Sequence, residues 1–267
     1  MKLFNAVAIV TGSATGSGAA CALQLARKGC RVVVNYTKSE QEARETVEAC
    51  RAAGVEALLV QGDVANDADC RRMAQAALDK WGRIDVLINN AGITKFVAAT
   101  DLEGLTTADW QHLYAVNVIG AYQMIRACVP AMQKQREGAI VNISSISGVL
   151  GIGSSTAYVA TKGALNSMTL ALARSLAPEI RVNGVAPGLI ETRWHTARFP
   201  NPEAYDKFKA GYVQTVPLAK AASADDVAEV AVWLVEGAAL VTGEIILVDG
   251  GLHLGKFSVK PVEKKIQ

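Results

Sequence analysis

The sequence predicts a single doubly wound α/β domain, a parallel sheet of about seven strands with helices on both faces. Two observations carry this. Short β-branched runs alternate with longer helical patterns along the chain, and several of those runs, Val32-Val33-Val34 and Val86-Leu87-Ile88 among them, are apolar without alternation. Alternation of the two element types favours parallel strands joined by helical crossovers, and unbroken apolar runs suit central strands covered on both faces.

The strands are expected at Ala6 to Thr11, Arg31 to Asn35, Ala57 to Val60, Ile84 to Asn89, Ala139 to Ile143, Ile180 to Val185 and Glu244 to Val248. Two long helices are expected, from Thr107 to about Lys134 and from Thr156 to Ala177. The second carries only Lys162 and Arg174 as charges, so more than its sheet-facing side needs cover, and a second subunit is the expected cover. No linker or low-complexity tract divides residues 1–252, and residues 253–267 read as a disordered tail.

Composition excludes several classes. The 267 residues are 51% hydrophobic and carry 27 basic against 25 acidic side chains, with no basic run interleaved with aromatics, so nucleic acid is not an expected partner. The apolar run ending at Thr11-Gly12 is too short for a signal segment or a membrane span. Five dispersed cysteines without a CxxC pair read as reduced thiols of a cytoplasmic protein, and three histidines without ligand spacing point to no metal.

The first strand runs into Thr11-Gly12-Ser13-Ala14-Thr15-Gly16-Ser17-Gly18, after which a helix begins. Glycines there let the backbone turn tightly and approach a pyrophosphate at a helix N-terminus, where free N–H groups favour an anion, so a dinucleotide is expected. The second strand ends in Asn35-Tyr36-Thr37-Lys38-Ser39, with no acid before Glu40. No carboxylate there repels a ribose 2′-phosphate, and Thr37, Lys38 and Ser39 offer it donors, so NADP is preferred to NAD.

Tyr158 and Lys162 stand four residues apart in a strongly helical segment, which puts a phenol and an ammonium on one helix face. A free phenol, with a pKa of about 10, is a poor base at neutral pH, and a neighbouring cation is expected to lower that value.

Taken in order, these segments resemble the short-chain dehydrogenase/reductase family, in its single-domain form, from residue 5 to about 252. TGSATGSG at 11–18 resembles its cofactor loop, with Ser17 in place of the usual isoleucine. Gly62-Asp63-Val64 is similar to the element that meets adenine, and Asn89-Asn90-Ala91-Gly92 to the one lining the adenosine ribose. Residues 181–192, with Pro187, Gly188, Ile190 and Thr192, resemble the stretch at the nicotinamide, and Asp249-Gly250-Gly251 the closing motif. The resemblance implies a Rossmann-type fold, a ketone or secondary-alcohol substrate, and a catalytic group of Asn117, Ser145, Tyr158 and Lys162. Ser145 is chosen over Ser144 because it lies 13 residues before Tyr158, and Asn117 is expected to hold a water that links Lys162 to solvent. It also implies a homo-oligomer, a tetramer or a dimer.

Residues 189–217 hold Trp194, Phe199, Tyr205, Phe208 and Tyr212 and read as a lid over the substrate. Arg193, His195, Arg198, Lys207 and Lys209 make it basic, which favours either an anionic substrate or a solvated helix face. Ile93 to Phe96, with Ile146, Val149, Leu150 and Ile152, are expected to wall an apolar pocket. Among family members the chain most resembles 3-oxoacyl-[acyl-carrier-protein] reductases, but Ala177-Pro178-Glu179 lacks the cation expected for docking an acidic carrier. A reductase of a small or medium apolar ketone is therefore placed first, ahead of the acyl-carrier enzyme and of a catalytically silent cofactor sensor.

Overall fold

A computed structural model of the chain describes residues 1–196 and 199–255. The tail expected to be disordered therefore lies outside the described residues beyond Gly255. Seven strands form one sheet: β1 (Val7–Val10), β2 (Arg31–Tyr36), β3 (Ala57–Gln61), β4 (Val86–Asn89), β5 (Gly138–Ile143), β6 (Ile180–Pro187) and β7 (Ile245–Val248). Their order is β3-β2-β1-β4-β5-β6-β7, and every neighbouring pair is parallel. The chain leaves β1 toward one edge and resumes at β4 on its other side, so a crevice opens at the carboxyl ends of β1 and β4. In such sheets that crevice is where ligands bind.

One apolar layer joins α1 (Gly16–Arg27), α2 (Glu40–Ala52) and α10 (Ala224–Glu236) to one face of the sheet, and Leu25, Val34, Ile88 and Leu234 are fully buried in it. The other layer is built by α3 (Asp67–Trp81), α5 (Ala121–Gln135) and part of α7 (Thr156–Leu176), around Ile9, Met73, Met124 and Ile140. Residues alternate between the two layers along each strand: Val7 and Ile9 face one, Ala8 and Val10 the other. All five cysteines are free and buried in these layers. Burial pushes their thiols up, to about 12 for Cys21 and about 11 for Cys50, which leaves them protonated and unreactive.

The long helix expected from Thr107 is present, but it is not α-helical throughout. It divides into α4 (Thr107–Tyr114), a π-helical turn (Ala115–Gly120) and α5. Thr106 and Asp109 cap its start reciprocally, and the π turn inserts the extra residue that brings Asn117 inward, where it is 2% exposed. The turn sits beside α7, and the Asn117 side chain on it donates to Thr161 Oγ1 of that helix. No helix among the described residues is long and apolar enough to cross a membrane.

Two buried polar sets fix the sheet ends that carry the site. Asn89 Nδ2 donates to Asn142 Oδ1 (2.9 Å), and Asn142 Nδ2 donates to Thr169 Oγ1 (2.8 Å), tying β4, β5 and α7 together. Asn35 accepts from the Gly12 N–H (2.9 Å) and donates to the carbonyl of Gly62 (3.0 Å), tying β2 to the loop after β1 and to the end of β3.

Candidate active site

The loop after β1 is shaped from below. Ser13 donates to the Val10 carbonyl (2.7 Å) and accepts from the Asn35 N–H (2.9 Å), while Thr11 Oγ1 accepts from the amides of Asn90 and Ala91 at 3.0 Å each. Gly12 holds φ of +59°, a conformation costly for other L residues, and a Cβ there would lie 2.9 Å from Ala91 Cα. The Thr15 side chain makes no cap, and the first turn of α1 holds no acid, so its orphan amides and positive dipole end face the crevice. These features fit a pyrophosphate. Ser17, at the position that departs from the family pattern, is 8% exposed and packs inside.

The residues expected to reach adenosine divide into two groups. The amide of Asn35 is consumed within the fold and Tyr36 is buried, so both shape the groove from beneath. Thr37 Oγ1 donates to the Gly62 carbonyl (3.3 Å), while Lys38 is exposed and enters no ion pair among the described residues. Asp63 keeps one carboxylate oxygen on the Ala65 amide (2.9 Å), and Val64 is buried with its carbonyl held by Gln123. Asn90 spends its amide on the carbonyls of Thr11 and Gly12 (3.0 Å each), and Ala91 and Gly92 follow it along the crevice.

Beyond β6, the Gly188 N–H donates to Val248 (3.0 Å), and the Leu189 N–H donates to the Tyr212 hydroxyl (3.0 Å). Pro187 is buried, and Ile190 pairs with Ala222 as an isolated bridge. Thr192 faces the phosphate loop: a Cβ on Gly16 would lie 3.5 Å from its methyl group. The segment read as a lid contains α8 (Arg193–Thr196) and α9 (Pro202–Thr215), and Tyr212 of α9 fastens it to the sheet end.

Ser155 N-caps α7 by accepting from the Tyr158 N–H (3.3 Å), which sets Tyr158 in the first turn and Lys162 one turn later. Lys162 Nζ donates to the Ile143 carbonyl (2.9 Å) and lies 5.6 Å from the centre of the Tyr158 ring. The Ser145 hydroxyl donates to the Ser147 hydroxyl (3.0 Å) and accepts from the Ser147 N–H (3.1 Å), and it stands near enough to the Tyr158 phenol to oppose the upward push of burial on it. Ser144, by contrast, turns away to Asn166, which supports the choice of Ser145.

Asn117 accepts from the Ile93 N–H (2.8 Å) and donates to the Ile93 carbonyl (2.9 Å) and to Thr161 Oγ1 (3.1 Å). Thr161 in turn donates to the Tyr158 carbonyl (2.7 Å). The four residues expected to be catalytic thus lie in one neighbourhood, but the Asn117 amide is fully engaged in joining the loop after β4 to α7. Space remains between it and the lysine: a Cβ on Gly92 would lie 3.4 Å from Asn117 Oδ1 and 3.8 Å from Lys162 Nζ.

In the cofactor-free chain burial pushes Tyr158 up to about 12, opposed by Ser145, and burial brings Lys162 down to about 8. Desolvation disfavours both charged forms, and at this separation it outweighs their attraction.

Trp194 brings apolar surface up to the phenol. The Trp194 ring lies 6.4 Å from that of Tyr158, and Phe96, Val149 and Ile152 also keep exposed apolar area. The Val97 N–H donates to the Ser154 carbonyl (2.8 Å), and Thr94 bonds Ser154 through their hydroxyls, which joins the two loops that form the wall. Among the lid's cations Arg193 pairs with Glu42 and Lys209 with Glu191, each at 2.5 Å, while Lys207 is exposed. The side chain of His195 and the whole of Arg198 lie outside the described residues. Among the described residues no cluster of His, Cys, Asp and Glu is arranged to hold a metal ion.

The profile of a family described as "Enoyl-(Acyl carrier protein) reductase" matches residues 12–253. A solved structure titled "Crystal structure of a putative short-chain dehydrogenase/reductase from Burkholderia xenovorans" superposes with a TM-score of 0.87 at 37% identity, covering 94% of this chain and 99% of that one. The chain is a short-chain dehydrogenase/reductase. Two relatives carry the name of ketoacyl reductases. "Granaticin polyketide synthase putative ketoacyl reductase 2" of Streptomyces violaceoruber is 41% identical over 93% of this chain and 96% of its own length. The 3-oxoacyl-[acyl-carrier-protein] reductase FabG of Staphylococcus epidermidis is 36% identical over 94% and 100%. As a short-chain dehydrogenase/reductase the chain is an oxidoreductase acting on carbonyl and alcohol groups, in a family that uses nicotinamide dinucleotides.

Sequence reasoning missed Thr161 and Ser147 as parts of this site, and it named Tyr212 only as one aromatic of the lid, without its bond to Leu189. Thr161 had a readable signal, since it stands three residues after Tyr158, the spacing at which a threonine hydroxyl reaches back to a helix carbonyl. The bond made by Tyr212 had none, because its partner Leu189 is 23 residues away.

Proposed function

We propose that the chain reduces an apolar ketone with NADPH, using Tyr158 as proton donor, Ser145 as the second donor to the carbonyl oxygen, Lys162 as the neighbouring cation and Asn117 as the support of the proton path. The observation that carries this reading is the Tyr158 phenol, with Ser145 beside it, Lys162 Nζ 5.6 Å from the centre of its ring and the Trp194 ring 6.4 Å away. A phenol held up at about 12 stays protonated at neutral pH, ready to give its proton to the more basic oxygen that forms as a ketone is reduced.

The nicotinamide, when bound, supplies the electron pair and hydrogen that reach the carbonyl carbon. The hydroxyls of Ser145 and Tyr158 hold the carbonyl oxygen and fix which face of the ketone is presented. As the carbonyl π bond opens, the Tyr158 O–H bond breaks and the substrate O–H bond forms. The phenolate left behind is stabilised by the Lys162 ammonium, and a proton returns through the space bordered by Gly92, Asn117 and Lys162. Positioned acid catalysis of this kind contributes roughly 10²- to 10⁴-fold.

A second reading, a 3-oxoacyl group as the ketone, is favoured by the two ketoacyl reductases among the relatives. The cofactor preference rests on exposed Lys38 and on the absence of an acid between Asn35 and Ser39. A homo-oligomer is supported by α7, whose Leu170 is 53% exposed, and by Ile119 and Tyr122 on its neighbours, at 50% and 45%.

The test is a parallel fluorescence titration with NADPH and NADH, followed by aliphatic ketones, acetoacetyl-CoA and 3-oxoacyl carrier-protein thioesters monitored at the nicotinamide absorbance. Selective NADPH binding with ketone turnover is expected. Equal or reversed cofactor affinity refutes the NADPH preference, and turnover of carrier-bound substrates alone selects the second reading.

A further inference from the structure

Arg193 is the one described residue of the lid that reaches across to the adenosine side of the crevice. Its guanidinium donates to Glu42 Oε1 (2.5 Å) and to Ser39 Oγ (3.2 Å), although the residues are more than 150 positions apart in the chain. Ser39 is the N-cap of α2, yet its hydroxyl makes no cap bond to the helix, so it is available to partners above it. Lys38, next to it, is exposed. Two carboxylates stand nearby and both are neutralised: Glu40 by Arg44 one turn along α2, and Glu42 by Arg193 itself, which holds its carboxyl below the usual range.

We propose that Arg193 is a specificity residue for the cofactor: its guanidinium, with Lys38 and Ser39, binds the ribose 2′-phosphate and so couples the start of the lid to the phosphorylated dinucleotide. This rests on the NADPH reading above and adds a residue from the opposite wall of the crevice. The physical argument is one of charge and geometry. A phosphate monoester carries about −1.5 to −2 at neutral pH and presents three acceptor oxygens, whereas Glu42 presents a single charge. The planar fork of an arginine bonds a phosphate through two parallel N–H groups, a match that a lysine lacks. The Arg193 and Glu42 side chains are 57% and 35% exposed, so their pairing is weak enough to rearrange around a stronger anion. Glu42 then serves as the counter-ion that holds the arginine over the groove while the cofactor is absent. Because Thr192 faces Gly16 of the phosphate loop, a contact made by the next residue places the start of α8 over the whole phosphate-bearing half of the crevice.

The experiment measures dissociation constants of NADPH, NADH and adenosine 2′,5′-bisphosphate for the full chain, its Arg193→Gln and Arg193→Lys variants, and Lys38→Ala. Loss of one charge-assisted contact predicts that Arg193→Gln weakens NADPH and the bisphosphate about tenfold or more and changes NADH less than about threefold, with Arg193→Lys between. The unfolding midpoint of cofactor-free Arg193→Gln, whose ion pair is exposed, is expected to match the parent within about 2 °C. Equal weakening of NADPH and NADH would assign Arg193 to the pyrophosphate and overturn the proposal, as would no change in either. A selective NADPH loss in Lys38→Ala without one in Arg193→Gln overturns the role of Arg193 while leaving the NADPH reading intact. A parent chain with no preference for NADPH overturns both.

Discussion

Lys162 Nζ lies 5.6 Å from the centre of the Tyr158 ring, close enough to stabilise a phenolate once formed and too far, in a buried setting, to create one unaided. The cofactor-free site is therefore set for donation rather than abstraction of a proton. Oxidation of an alcohol needs the ionised phenol, so its rate is expected to climb with pH over a wider range than the rate of ketone reduction, as initial rates in both directions would reveal.

Replacing Tyr158 by Phe removes the donor and leaves the ring against Trp194. Turnover is expected to fall by at least about 100-fold, with NADPH affinity changed only a few-fold. Unchanged turnover in this variant would sink the proton-donor assignment.

The pKa of Lys162 gives a signed prediction for stability without cofactor. Its folded value of about 8 lies below the ordinary 10.5, so the buried ammonium opposes folding in full below pH 8. Between pH 8 and 10.5 the unfolded chain binds a proton that the native chain lacks, and stability rises with pH through that window. Tyr158, raised from 10 to about 12, acts in the opposite sense only above pH 10. Urea unfolding of the parent and of Lys162→Met should show the parent gaining on the variant from pH 7 to 9.5; a constant difference would refute the buried-ammonium account.

Asn117→Ala deprives the Ile93 N–H, the Ile93 carbonyl and Thr161 of a shared partner at a buried position. Leaving such groups unsatisfied costs roughly 1–3 kcal/mol, and chemical unfolding should report a loss of that order together with reduced kcat. Asn117→Asp retains the acceptor for Ile93 and is expected to fall between the two in stability.

Gly18→Ala tests the fit of the phosphate loop. The added methyl would sit 2.5 Å from the Gly12 carbonyl oxygen and 2.9 Å from Ser13 Cα, with the Asn90 amide also in contact. About 1–3 kcal/mol of stability is expected to be lost to overpacking, and cofactor binding with it. Gly163→Ala is the comparison: its methyl meets only Gly148 O at 3.8 Å within α7, so thermal unfolding should show no loss.

Much of this architecture could be read from the chain because local rules agreed with the global fold. Each parallel strand was announced by a β-branched run, and the phosphate loop by glycines between a strand and a helix. The boundaries moved by a residue or two: β1 begins at Val7 and β4 at Val86, while β6 continues to Pro187. The break at 115–120 was not legible, because Ala-Val-Asn-Val-Ile-Gly has no proline or capping pattern to mark a π turn; contacts with α7 and the loop after β4 hold it. Nor could the sequence tell that Arg193 would pair with Glu42 and Lys209 with Glu191, since pairing across long separations depends on the folded geometry. The phenol's displacement upward escaped notice for a related reason: helix spacing reveals the neighbouring cation but not the depth of burial.

Asn35 gives the crevice a tied corner, with consequences for anyone wishing to redesign it. Its single amide grips the Gly12 N–H and the Gly62 carbonyl, so the loop after β1 and the end of β3 are tied through one side chain. Exchanges at Lys38 and Ser39, which stand outside that tie, can retune which dinucleotide is accepted while the loop stays in register. Exchanges at Asn35 itself would loosen the grip on every dinucleotide alike, which makes it the upstream limit of a cofactor-swapping library.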